Sequence, residues 1–254
     1  MEEMYTVKEQ FTLPSKGKIY EKPIRSEIEL RSWNTREEMV RQSASVERPY
    51  KALADLVEGC IVGEKPEVHV YDMHLGDYEF LLHKARVVTY GPEYKMIVQC
   101  PKCNKVEERI FNLEELEVVD FNVEEFEELR TLELKRSKKT VHLNYETPHM
   151  LDDIEVEIKN WKKRNKDLTF DPRELIRLKH YIDTVDDVKL TDEQLETFIN
   201  KLPAKDSNDI LNRVEKITGR IGLDTTFQYT CSKCGFDTTT FFRYGPEFLR
   251  PTED

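Results

Sequence analysis

Two cysteine pairs carry most of the chemistry this sequence offers. Cys100 and Cys103 bracket Pro101-Lys102, and Cys231 and Cys234 bracket Ser232-Lys233. A gap of two residues lets both thiolates of a tight turn face one ion while backbone N–H groups of the turn stabilise their charge. Two such knuckles supply the four sulfurs of a tetrahedral zinc site. Residues 104–230 lie between the pairs, far more than in a usual zinc finger, but loop-closure entropy grows only logarithmically with length. The competing chemistry is a redox-active CxxC, and two such motifs in matching contexts are better explained by one shared ion. An ion held by four protein thiolates keeps no open position, so one structural Zn2+ is expected rather than a catalytic one.

The remaining chemistry-bearing residues form no comparable pattern. Cys60, the fifth cysteine, reads as a buried thiol on a helix face. The six histidines are His69, His74, His83, His142, His149 and His180, with no HExxH among them; His69 and His74, with Asp72 between, are the only pair that suggests a metal pocket. A Walker loop, GxSxG and GxGxxG are also missing, so no enzyme is expected. The net charge of −11, from 39 basic and 50 acidic residues, argues against a chain whose main task is to hold a phosphate backbone. The basic stretches LKRSKK (134–139) and KNWKKRNK (159–166) are flanked by acids and read as solvated surface. No apolar run approaches the roughly 18 residues of a membrane helix, and MEEMYTVKEQ does not read as a signal peptide; a cytoplasmic origin is expected.

The elements that must position the thiolates follow from periodicity. GPEYKMIVQ (91–99) leads in extended form to the first knuckle and VEERIF (106–111) returns from it; TTFQYT (225–230) and FDTTTFFRY (236–244) repeat the device around the second. IRSEIEL (24–30) alternates as a half-buried strand. A helix is expected from an N-cap at Thr35 with Glu38 closing a capping box, and another from Pro49 with Leu53, Leu56, Val57 and Cys60 on one face. HLGDYEFLLHKARVVTY (74–90) reads as a helix running into a strand. Between the knuckles, capped amphipathic segments at 146–165, 171–185, 191–202 and 204–219 predict a small helical bundle, with Gly219 at the position after the last helix. The fold class is therefore α+β: a zinc-ribbon-like β module built from two distant CxxC hairpins, with a helical N-terminal region and a helical insertion. The regions are an extended N-terminal arm (1–30), an α+β region with the first knuckle (31–145), the helical insertion (146–222), and the second knuckle with a C-terminal tail (223–254).

Several stretches together resemble the baseplate hub subunit family of T-even-type contractile-tail bacteriophages. They are LPSKGKIY with IRSEIELRSWNTREEM, RPYKALADLVEGCI, the CPKC knuckle, and LPAKDSNDILNRVEKITGRIGLDTTFQYTCSKCG closing with GPEFLRP (245–251). The resemblance is weakest around 112–145, and Phe248-Leu249-Arg250-Pro251 departs from the two aromatics that relatives more often carry there. It implies a non-enzymatic structural subunit or assembly chaperone of the baseplate hub. Its partners would be other hub or tail proteins, and its place the virion tail or the host cytoplasm during assembly. Residue by residue it carries over only Cys100, Cys103, Cys231 and Cys234.

Aromatic and Arg side chains dominate interface energies, so Phe242, Tyr244, Phe248 and Arg250 are candidate partner contacts; the alternative is that they pack on the chain's own zinc module. A zinc-ribbon protein that binds nucleic acid or acts in transcription is the second functional reading, with Lys102, Lys105 and Lys233 at the knuckles as its basis.

Overall fold

The computed structural model describes residues 6–42, 47–165, 170–242, 244, 248 and 249. Near the N-terminus, β1 (Lys8–Thr12), β2 (Glu27–Arg31) and β3 (Ile61–Val62) form an antiparallel sheet in that order. The alternation read from 24–30 is realised: Ile28 and Leu30 point inward and are buried, while Glu27 and Glu29 face water. The stretch read as an arm lies against the body of the protein, with Leu13, Ile19, Tyr20 and Ile24 in the core. Buried Asp77 fastens it by accepting the Ser15 N–H at 3.0 Å, the Ser15 hydroxyl at 2.5 Å and the Tyr20 hydroxyl at 2.7 Å.

Helix α1 (Thr35–Gln42) is capped one residue earlier than expected. Asn34 Oδ1 accepts the Glu37 N–H at 3.1 Å and Glu37 returns the bond to the Asn34 N–H at 2.9 Å. Glu38 is drawn elsewhere, to Arg41, the Tyr90 hydroxyl at 2.9 Å and the Trp33 indole N–H at 3.1 Å. The Arg41 bond first, with Tyr90 and Gln42 adding, lowers its carboxyl from 4.5 to about 2. A folded value below the unfolded one stabilises the protein above about pH 4.5, and that contribution is lost as pH falls towards 2. Glu38→Gln should therefore melt below the wild type at pH 7, and the difference should close between pH 4.5 and 2 in paired thermal melts. A gap that does not change with pH would refute the assignment.

Helix α2 runs from Pro49 to Cys60 as read, but its first turn is capped from afar. Asp152 accepts the Lys51 N–H at 2.9 Å and the Tyr71 hydroxyl at 2.9 Å. It belongs to α5 (Pro148–Arg164), which packs on α2. Helix α3 (Leu75–Tyr90) stays helical over all 16 residues, where the sequence suggested a strand at its end. The β-branched Val87, Val88 and Thr89 are overridden because burial on nearly every side rewards the helix, and the Thr89 hydroxyl bonds back to the Ala85 carbonyl at 2.7 Å.

At the start of α3, Gly76 lies directly on the backbone of Ile221 and Gly222. A Cβ there would sit 2.0 Å from the Ile221 carbonyl oxygen. Gly76→Ala must push two backbone segments apart, and we expect a loss of about 3 kcal/mol, read from urea unfolding. A wild-type midpoint would mean the approach is looser than described.

The knuckles are carried by two antiparallel hairpins, β4 (Glu93–Gln99) with β5 (Val106–Asn112) and β9 (Thr226–Thr230) with β10 (Asp237–Phe241). They remain separate two-stranded sheets rather than one continuous ribbon. Between them come α4 (Val123–Arg130), β6 (Thr131–Leu134), β7 (Lys139–Leu143), α5, α6 (Arg173–Tyr181), β8 (Ile182–Val185), α7 (Asp192–Lys201) and α8 (Ala204–Thr218). The four helices expected between the knuckles are present, but the one read to Val185 ends at Tyr181, and Ile182–Val185 pairs with β7 instead. β6, β7 and β8 form a three-stranded sheet fastened to α8 by Asp206, which accepts the Ser137 N–H at 2.7 Å. Gly219 ends α8 in a right-handed conformation (φ −73°), so the turn does not need a left-handed glycine there.

Candidate metal centre

Each knuckle begins where a hairpin strand runs out. In the first, the Cys100 N–H bonds the Lys105 carbonyl at 2.9 Å and the Asn104 N–H bonds the Cys100 carbonyl at 2.9 Å. In the second, the Cys231 N–H bonds the Phe236 carbonyl at 3.0 Å and the Gly235 N–H bonds the Cys231 carbonyl at 2.9 Å. The two turns are thus superimposable in their bonding, and Asn104 (φ 56°) occupies the left-handed position that Gly235 (φ 64°) takes in the other. Asn104 escaped the sequence reading, although an Asn directly after a CxxC is itself a signal for this conformation.

The turns bring the four thiols together. Cys100 Sγ lies 3.7 Å from Cys234 Sγ, Cys103 Sγ lies 3.7 Å from Cys231 Sγ, and all four sulfurs fall within 4.8 Å of one another. A tetrahedral ion with metal–sulfur bonds of about 2.3 Å holds its sulfurs about 3.8 Å apart. A disulfide needs about 2.05 Å, and all four cysteines are free.

The electrostatics of the cluster also fit a cation. Amide N–H groups of Cys234 and then Lys233 draw the Cys231 thiol down to about 6. The Phe236 amide favours a thiolate at Cys234 too, but the sulfurs of Cys103, Cys231 and Cys100 push that thiol up to about 12. One negative charge is welcome in this cluster and further ones repel it. A divalent ion among the sulfurs would remove that conflict and let all four ionise.

A polar clamp joins the knuckles beside the thiols. Glu107 of β5 accepts the Ser232 hydroxyl at 2.5 Å and the Ser232 N–H at 3.3 Å, with Lys105 and Arg109 at 3.4 Å and 3.2 Å. The Ser232 hydroxyl first, then the Ser232 N–H and Arg109, hold this carboxyl near 2. Lys105 also donates to the Ser232 hydroxyl, and Lys102 lies over the Phe236 ring at 5.3 Å. Two of the three lysines that suggested nucleic-acid contact are therefore engaged within the site, while Lys233 is exposed.

The rings expected at a partner surface face the protein's own interior. Phe242 and Phe248 are buried and stack on each other at 5.2 Å, and Tyr244 meets Phe248 edge-on at 5.0 Å. His83 and Tyr94 complete the cluster. Burying this much aromatic surface beneath the hairpins outweighs presenting it to water. Arg250 lies outside the described residues. The residue that fixes the tail is one the sequence reading passed over: Arg86 of α3, fully buried, donates to the carbonyls of Phe248 at 2.9 Å, Gly91 at 3.0 Å and Glu93 at 3.1 Å. Its guanidinium lies 5.0 Å from the Tyr94 ring centre and 5.5 Å from that of Phe248.

Among the described residues the histidines build no second centre. His74 is buried with its Nδ1 accepting the Gly76 N–H, while half-exposed His69 and His149 pair with Asp55 and Asp72. Burial holds the His74 and His83 imidazoles down at about 3. Cys60 is buried, and burial pushes its thiol up to about 12. Among the described residues no helix is long and apolar enough to cross a membrane.

Fold and site together define a mixed α+β protein whose two hairpins meet at a four-thiol centre suited to a structural ion. A model of the family described as T4 bacteriophage base plate protein matches residues 4–249, and the chain belongs to that family. No curated protein and no solved structure matches it.

Proposed function

We propose that this protein is a non-enzymatic component of the phage baseplate hub, a structural subunit or an assembly factor, stapled by one structural zinc ion. The family match over residues 4–249 carries the reading, since it covers nearly the whole chain. The hub assignment within the baseplate rests on the resemblance of the N-terminal and C-terminal phrases. Zinc is the ion of choice because four thiolates at tetrahedral spacing favour a soft-accepting divalent ion without redox chemistry. Cys100, Cys103, Cys231 and Cys234 would hold it, and its role would be to bind the two hairpins into one unit. Other hub or tail proteins are the partners, and the virion tail, or the host cytoplasm during assembly, is the location.

Quantitative mass spectrometry of purified virions beside infected-cell lysate tests this. A fixed small copy number in virions identifies a structural subunit, and capture with tail proteins from lysate but absence from virions identifies an assembly factor. Association with neither, together with steeply salt-dependent nucleic-acid binding, would overturn the proposal.

A further inference from the structure

The two hairpins leave a gap between them. Among the described residues β5 pairs only with β4 and β9 only with β10, so each presents an open edge. Farther from the thiols the chain closes the space itself: Val118 bridges Leu223, and the Asp224 N–H bonds the Glu117 carbonyl at 2.9 Å. At the other end the knuckles converge. Between these closures lies a groove of about 950 Å³, lined by β5 on one side and β9 on the other, with the Phe111 and Phe227 rings 4.5 Å apart along it.

The direction of the backbone groups follows from strand alternation. The Cys231 N–H bonds the Phe236 carbonyl within its hairpin, so Phe227, Tyr229 and Cys231 use their main-chain groups towards β10, and Thr226, Gln228 and Thr230 turn theirs to the open edge. Two observations agree. Arg109 crosses from β5 to donate to the Thr230 carbonyl at 2.7 Å, and Asp224 accepts the Thr226 N–H at 3.0 Å. By the same alternation, starting from the Cys100 N–H to the Lys105 carbonyl, Glu108 and Ile110 of β5 turn their groups towards the groove. Side chains supply strand-like partners at the two ends of β9 and leave Gln228 in the middle with no strand beside it.

The surroundings indicate what would fit. Exposed Glu115 and Glu117, with Asp224, make one end of the groove acidic. On the outer face of the first hairpin Ile110, which lines the groove, and Val106 of the same strand are 60% and 58% exposed, an apolar row along the open edge of β5. An added strand that alternates residue by residue would set one row of side chains on these apolar residues and bring cations to the acidic end.

We propose that the groove between β5 and β9 is a docking site for an extended segment of a partner protein, alternating apolar and basic residues, which binds by adding a strand to the open edge of β9. This deepens the reading of the protein as one that works by joining other tail proteins. Its test uses synthetic peptides, so it stands apart from the virion measurement.

The probes are fluorescein-labelled peptides of alternating Lys and Val, and of alternating Glu and Val, titrated into the zinc-loaded full chain with anisotropy and amide hydrogen exchange as readouts. The Lys-Val peptide should bind and slow exchange at Gln228, while the Glu-Val peptide should bind at least about tenfold more weakly. Gln228→Pro removes the outward N–H but no bond of the β9–β10 ladder, so it should fold and bind at least about tenfold more weakly. The double variant Glu115→Lys with Glu117→Lys should lose binding too. Glu124→Lys with Glu128→Lys, which changes net charge equally on the exposed side of α4, should keep it. Equal loss in both charge variants, or binding without protection of β9, would overturn the proposal as mere attraction to an acidic chain. Self-association of the wild type that Gln228→Pro abolishes would also overturn it, by assigning the groove to a second copy.

Discussion

A chain carrying Cys231→Ser and Cys234→Ser is expected to bind no zinc and to lose the cooperative unfolding of its two hairpins. Zinc per chain, measured by elemental analysis, should fall from near one to near zero. Structural zinc contributes about 10–16 kcal/mol in isolated finger peptides, where the ion is nearly all that folds the chain. Here Phe111, Phe227 and the tail rings already pack beneath the hairpins, so part of the module has its own core. The site still joins hairpins that share no ladder, and without the ion only weak thiol contacts and the Glu107–Ser232 clamp hold the knuckles together. Residues 93–112 and 226–241 should lose hydrogen-exchange protection together, while α2 and α5 keep theirs. A tight chelator should give the wild type the same pattern. Full zinc retention in the double variant would sink the four-thiolate assignment.

The second large effect is expected at Arg86. Arg86→Ala strands the buried carbonyl of Phe248, takes the donor from the part-buried carbonyls of Gly91 and Glu93, leaves a cavity where the buried side chain was, and removes the cation from the Tyr94 and Phe248 rings. A buried acceptor left without a donor costs about 1–3 kcal/mol, and emptying the space of a fully buried side chain adds a cavity cost, so a total loss of about 4 kcal/mol in urea unfolding is expected. Arg86→Lys keeps the charge but cannot reach three carbonyls with a planar fork, and should recover less than half of the loss. Limited proteolysis should cut the tail near Phe248 first in both variants. If the tail stays protected in Arg86→Ala, its ring contacts alone hold it.

These residues also show where sequence legibility stops. The knuckles were readable because their logic is local: two cysteines, two residues apart, with a strand on either side. The start of α7 follows the same local logic: Thr191 and Gln194 form a capping box, with the Thr191 N–H bonding the Gln194 side chain at 3.0 Å. Errors arose where a partner distant in sequence decides. Ile182–Val185 is a strand because β7, some forty residues earlier, offers it an edge. Val87–Thr89 is helical because core surrounds it. Asp152 looks like an ordinary acidic helix residue until α2 is seen resting its first turn on it. Arg86 sits in LLHKARVV as one cation in an apolar run, and only the fold brings Phe248 to it. The tail rings stand out in the sequence for their chemistry, which leaves open whether they meet a partner or the chain's own core; Phe242 and Phe248 are buried in the structure.

The sulfurs of the centre come from opposite parts of the chain, and protein synthesis proceeds from one end. Cys100 and Cys103 leave the ribosome well before Cys231 and Cys234, with residues 104–230 still to be made. At roughly 5–20 residues per second that delay is on the order of ten seconds. For that interval β4 and β5 can form their hairpin, but its two thiols have no second pair with which to share an ion. The four-sulfur centre can close only after residues 231–234 have been made, so an ion bound by all four sulfurs marks a chain synthesised at least that far.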